Sequence, residues 1–161
     1  MSENRIRVPI DKAELVKSLI GSAENNSPFQ TYADVILFAA VLGAKQQQRL
    51  PLGEISKKEP GPISMEIFIS RGYDPVMKLI AIAATENINV ISPDRADFEQ
   101  QRINIFEEYA NGGLELLAQE LCGAVDYTER ILLMLSASLD PRKTDSITEN
   151  SLEEFDLRKF M

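Results

Sequence analysis

The chain has 161 residues, 44% of them apolar, and a formal net charge of −8 at pH 7, which is enough for one domain, or one small domain with an appendage, around a real core. It holds no histidine and one cysteine, Cys122, so an internal disulfide is impossible and a structural zinc site is disfavoured. With no apolar signal-peptide core behind Met1–Arg5 and no run of about 18 apolar residues, the expectation is a cytoplasmic protein that does not enter a membrane.

The charge is uneven. Residues 1–62 carry eight Lys/Arg against seven Asp/Glu, and residues 63–161 carry nine against eighteen. Only the N-terminal third is therefore suited to a phosphate backbone.

In chain order, Arg5–Ile10 alternates polar and apolar residues and reads as a short strand, with Ile6, Val8 and Ile10 inward and Arg5 and Arg7 outward. Asp11 then reads as an N-cap with Glu14 at N3, and Ile10 as a hydrophobic staple on Leu15. The first helix carries Leu15, Val16, Leu19 and Ile20 and stops near Gly21. Residues 21–30 are turn chemistry. Thr31 with Asp34 caps a second helix, Ala33 to about Lys45, which is apolar almost all round and must be buried on every side or by a partner chain.

Residues 45–63, with Pro51, Pro60, Pro62, Gly53 and Gly61, read as a basic loop. It is either a solvated connection or a phosphate-contacting arm. Residues 63–69 fit strand or helix, with period two favoured. Asp74–Pro75 opens a clear helix ending near Asn87. Ser92–Pro93 opens another that runs to about Ala110, where Asn111–Gly112–Gly113 reads as a stop or a kink before helix resumes at Leu114–Leu121. Asp126 with Glu129 caps a last helix, again apolar all round. Asp140–Pro141 breaks it, and residues 140–161 form an acidic tail punctuated by Leu152, Phe155, Leu157 and Phe160.

Several patterns carry possible chemistry, each beside a plainer reading. A strand bearing Arg5 and Arg7 that feeds two helices is how a ribbon-helix-helix unit begins, pairing its strand with a second chain in a DNA groove. An edge strand with a basic outer face accounts for the same pattern. The carboxylates Glu99, Glu107 and Glu108 fit a solvated helix face laced with ion pairs better than a hydrolytic pair, since no histidine is available as base or ligand. Gly112–Gly113 lacks the lysine and Ser/Thr of a phosphate loop. The residues point to no nucleophile, base, metal or cofactor.

At Ile105–Leu117 (IFEEYANGGLELL), with Tyr32–Val35, Phe38–Ala40, Leu42–Gly43 and Asp126–Glu129, the sequence resembles a small bacterial family, the DNA phosphorothioation (Dnd) system-associated protein four family. The resemblance covers about residues 5–138 and leaves out the tail. It implies the company of proteins that place sulfur in DNA backbones or restrict DNA lacking it, and it implies no catalytic residues.

The resulting expectation is a mainly α protein. It comprises a single helical domain at 1–139 with a short N-terminal β-strand, a ribbon-helix-helix-like start, and a flexible acidic tail at 140–161. Its expected role is that of a non-enzymatic accessory or regulatory protein of a DNA phosphorothioation system, in modification or restriction, acting through Dnd-system proteins. The alternative is a ribbon-helix-helix-type DNA-binding dimer acting as a transcriptional regulator. Candidate DNA contacts are Arg5, Arg7, Arg49, Lys57 and Lys58. Leu152, Phe155 and Phe160 are candidate partner-docking residues, with Leu152 and Phe155 on one face of a helix. A homodimer is expected because the strand has no obvious local mate and the helix at 33–45 is apolar all round.

Overall fold

The computed structural model describes residues 4–21 and 27–139. Eight elements follow in order: β1 (Arg5–Ile6), α1 (Ala13–Ser18), α2 (Tyr32–Lys45), β2 (Ile63–Ser64), α3 (Met65–Ser70), α4 (Asp74–Thr85), α5 (Ala96–Leu121) and α6 (Tyr127–Ser138). Short 3₁₀ turns at Ile10–Lys12 and Ile88–Ile91 precede α1 and α5. The chain is mainly helical, as its periodicity indicates, with one two-stranded sheet near its N-terminus.

The organising contact is α2 against α5. α2 starts where the sequence reads, with a complete capping box: the Asp34 main-chain N–H donates to Thr31 Oγ1 at 3.3 Å, and Thr31 N–H donates to Asp34 Oδ2 at 3.1 Å. Most of its apolar circumference is buried within the chain. Ala33, Val35, Ile36, Ala39, Ala40 and Gly43 are all inside.

The facing helix, α5, runs unbroken for 26 residues. The helix therefore does not stop at Gly112–Gly113. These glycines are where two backbones meet. A Cβ on Gly113 would lie 1.7 Å from the Ala39 carbonyl oxygen, and one on Gly43 would lie 2.1 Å from that of Tyr109. Small residues let the helix axes approach closely, and dense packing along the crossing outweighs the low helix propensity of glycine. The core continues around Phe68, which meets Phe106 edge-on at 5.7 Å between centroids.

The N-terminal segment departs most from expectation. Only Arg5–Ile6 is strand, and its mate is β2 of the same chain, antiparallel, with Arg5 opposite Ser64 and Ile6 opposite Ile63. Met65 N–H donates to Asn4 O, Ser56 N–H to Val8 O and Ile10 N–H to Glu54 O, at 2.8–3.0 Å. The backbone from 4 to 10 thus finds its hydrogen bonds inside the chain. The ribbon-helix-helix start, which needs a second chain's strand, is not what this segment forms. Asp11 caps nothing: α1 begins at Ala13 after a 3₁₀ turn without a side-chain cap. Ile10 is 48% exposed rather than inward.

Other boundaries shift for local reasons. Residues 63–69 satisfy both readings in turn, two residues of strand and then helix from Met65. β2 is only as long as its partner, and Ser64 Oγ accepts from Glu66 N–H at 3.4 Å. α4 begins at Asp74 itself, one residue earlier than a capping Asp would imply, with Pro75 in its first turn. α5 begins at Ala96 rather than after Ser92. α6 is capped as read, Asp126 Oδ1 accepting from Glu129 N–H at 3.0 Å.

Asp34 links three elements, and it yields a pH prediction. Besides Thr31 N–H it accepts from Tyr73 OH and from Arg71 Nη1 at 3.0 Å. Partial burial raises its pKa, but the Tyr73 and Thr31 hydrogen bonds and the Arg71 charge outweigh this and hold the carboxyl below the ordinary range. A depressed folded-state pKa contributes stability above the unfolded value that is lost as pH falls through the folded one. Asp34→Asn should therefore flatten the decline in melting temperature below about pH 4. An acid limb identical in wild type and variant would show that Asp34 contributes nothing to it.

Candidate functional site

Arg7 and Arg49, both singled out for DNA, are engaged by carboxylates within the chain. Arg7 meets Glu107 of α5: Arg7 Nη2 donates to Glu107 Oε2 at 2.8 Å, Nε donates to both oxygens, and the Arg7 main-chain N–H donates to Oε1 at 2.8 Å. The Glu107 side chain is completely shielded from solvent, while that of Arg7 is 46% exposed. The hydrogen bond to Glu107 raises the Arg7 pKa against the opposing cost of burial. Arg49 Nε donates to Glu108 Oε2 at 2.6 Å, and its guanidinium lies 5.7 Å from the Tyr109 ring centre. Arg5, Lys57 and Lys58 are exposed.

The carboxylates are equally committed. Glu99 accepts from Asn4 Nδ2 at 2.7 Å. Lys12, itself buried, donates to Asp11 at 2.7 Å and meets Glu115 at 2.8 Å. Burial opposes its charge, but the bonds to Asp11 and Glu115 prevail and raise its pKa. Asn111 Nδ2 donates to the Leu50 and Pro51 carbonyls at 3.4 and 3.2 Å, and Leu50 N–H donates to Glu108 O at 3.1 Å.

One polar stripe of α5, Glu107–Glu108, Asn111 and Glu115, thus straps the irregular N-terminal segment and the loop after α2 to the body. A segment without its own ladder must place its backbone groups somewhere. The signal for Glu107 is present in the sequence. It stands in the row Ile103, Glu107, Ala110, Leu114, Leu117, Leu121 at helical spacing, all buried, and a charge in a buried row requires a partner.

A surface without such partners lies at the other end of the chain. α6 buries only Ile131. Leu132, Leu135 and Leu139, spaced by three and four, form one stripe that is 58%, 38% and 77% exposed. Beside it, Leu133 is 56% exposed. Leu135 also lines a groove of about 370 Å³ with Phe38, Val41 and Leu42 of α2, Leu116 of α5 and Met134. Lys45 and Glu120 line it too. Leucines at three-four spacing beside an apolar trough are what a helix docks against. Scattered exposed leucines need no explanation, but a contiguous set continuous with a groove does.

The model of a protein family described as DNA sulphur modification system-associated protein 4 matches residues 5–160. The chain belongs to that family. The resemblance carried by residues 105–117 therefore holds, and the shared sequence extends past the end of α6 into the tail rather than stopping near residue 138. The family description places its members with a DNA sulphur modification system and names no activity. No curated protein and no solved structure matches the chain. Among the described residues, no helix is long and apolar enough to cross a membrane. Leu152, Phe155 and Phe160 lie outside the described residues.

Proposed function

We propose that this member of the family is an accessory protein of its DNA sulphur modification system that holds another protein of that system and carries out no reaction of its own. The observation that supports this reading is the leucine stripe of α6 and the groove beside it. Fully burying an exposed leucine contributes on the order of 1.5–3 kcal/mol, so completing the burial of Leu132, Leu135 and Leu139, which are 58%, 38% and 77% exposed, contributes about 3–5 kcal/mol in all toward holding a partner that supplies the opposing face. Polar groups that might suggest catalysis elsewhere are absorbed by the straps on α5. The overall charge of −8 and the Arg7–Glu107 and Arg49–Glu108 pairs favour reaching DNA through the partner over direct contact by the N-terminal third.

The test is co-purification of the full chain with the other proteins of its own system. The double substitution Leu132→Asp/Leu139→Asp should reduce capture by at least about tenfold, the equivalent of roughly 1.4 kcal/mol, with the melting temperature little changed because both side chains are exposed. Undiminished capture would overturn the reading. Duplex binding at about 50 mM salt that weakens as salt rises, with a smaller slope in Arg5→Ala/Lys57→Ala/Lys58→Ala, would show instead that the chain meets DNA itself.

A further inference from the structure

We propose that in the free chain the leucine stripe and groove are covered by a second copy of the same chain, packed across a two-fold axis. The inference rests on the reading of that surface as a docking site and names what occupies it before another protein does.

The first ground is where the open apolar surface lies. Val41 is the one largely exposed apolar residue of α2, at 43%. It lines the groove with Phe38 and Leu42, as does Leu135 of α6. What the fold leaves open on α2 and on α6 is thus one surface. Residues 131–138 (ILLMLSAS) carry no charge, and only Ile131 among them is buried. Depletion of charge is the mark of an interface centre.

The second ground is shape. The surface offers both halves of a helix contact: leucines at three-four spacing to insert, and a trough to receive them. A two-fold contact uses the same patch on both sides, so that what one residue meets is met in return. The stripe of each copy can therefore enter the trough of the other.

The third ground is charge. Each chain carries −8, so two copies meet best where local charge is balanced. The charged groups of the groove lining are Lys45 and Glu120, one of each sign. Lys45 has no ion pair among the described residues. Glu120 has Arg130 at 3.4 Å, with both side chains about half exposed, and such a solvated pair contributes little. Arg130 included, the groove and its edge are not acidic, in a chain that is. A two-fold contact sets Lys45 of each copy against Glu120 of the other, two equivalent pairs. One surface cannot hold a second copy and another protein at once, so the dimer is the form that gives way when a partner binds.

The experiment is sedimentation velocity on the full chain alone at about 1–100 μM, for wild type, Lys45→Glu, Glu120→Lys and an equimolar mixture of the two variants. Wild type should pass from monomer toward dimer as concentration rises. Each variant by itself places like charges at both pairs and should weaken association about tenfold or more. The mixture restores opposite charges at both pairs and should associate as wild type does. Both residues are exposed, so the melting temperatures of the variants should stay close to that of wild type.

A wild type that stays monomeric throughout would overturn the proposal. So would reversals that leave association unchanged, or a mixture no better associated than its components, since no reciprocal pair would then exist. Because association is read on the chain alone, this inference can fail while the Leu132→Asp/Leu139→Asp capture result stands. The reverse also holds.

Discussion

Gly113→Ala is expected to destabilise the protein by about 4 kcal/mol or more, at the far end of what single substitutions do. The sign is the informative part. Inside an exposed helix, alanine is better than glycine by roughly 0.5–1 kcal/mol, so local propensity predicts a gain. The structure predicts the opposite. The added methyl would stand 1.7 Å from the Ala39 carbonyl oxygen and 2.5 Å from its carbon. These are backbone atoms, and no rotamer change removes them.

Relief requires α2 and α5 to move apart along their contact, opening gaps around Ala39, Ala40 and Leu114, all fully buried. Close-packed interiors transmit such shifts instead of absorbing them. For a chain of this size, about 4 kcal/mol corresponds to a fall in melting temperature of roughly 8–16 °C. Gly53→Ala is the matched control: a Cβ there meets nothing within 4 Å, and its effect should stay within about 0.5 kcal/mol. A Gly113→Ala protein as stable as wild type would mean that the two helices do not approach as described.

Arg7→Ala is expected to lower stability by about 2–4 kcal/mol, read as a shift of the denaturant midpoint at constant slope. A basic residue on a solvent-facing strand, free to meet phosphate, would change stability by no more than about 0.5 kcal/mol. The difference lies with Glu107, whose side chain has no solvent exposure and whose two oxygens take three bonds from the Arg7 guanidinium. Removing the arginine side chain leaves a buried charge whose one remaining donor among the described residues is the main-chain N–H of residue 7. The half-exposure of Arg7 places the expected loss toward the lower part of what a broken buried pair costs.

Glu107→Ala should cost a similar amount, since it leaves that main-chain N–H without its acceptor. The double variant Arg7→Ala/Glu107→Leu should be more stable than Arg7→Ala alone, because an apolar side chain in the buried row needs no counter-charge. An additive double-mutant cycle would show that the pair is not coupled. A loss of DNA binding in Arg7→Ala would accordingly not identify a phosphate contact unless folding were measured beside it.

Much of the helical framework is legible in the chain because its signals are local. The Thr31–Asp34 and Asp126–Glu129 caps act over three residues, the apolar rows of α2, α4 and α5 follow a single period, and the run at 105–117 already resembles the family whose model matches residues 5–160. Each is a relation between neighbours, and no fold needs to be known to read it.

The rest depends on what lies across the molecule. Asn-Gly-Gly is a helix stop by propensity, yet Gly112 and Gly113 sit inside α5 because another backbone approaches there, and sequence spacing does not record that approach. The strand at Arg5–Ile6 has its mate 57–59 residues away in Ile63–Ser64, beyond any local pattern, so the local pattern points instead to a second chain. Arg7 faces outward by strand alternation, but only the packing of the N-terminal segment on α5 brings it to Glu107, 100 residues on. The all-round apolar patterns of α2 and α6 look alike in sequence, and tertiary structure separates them. α2 is buried along the face that α5 crosses at glycines and leaves only Val41 largely exposed among its apolar residues, whereas α6 buries only Ile131 and leaves Leu132, Leu135 and Leu139 in water.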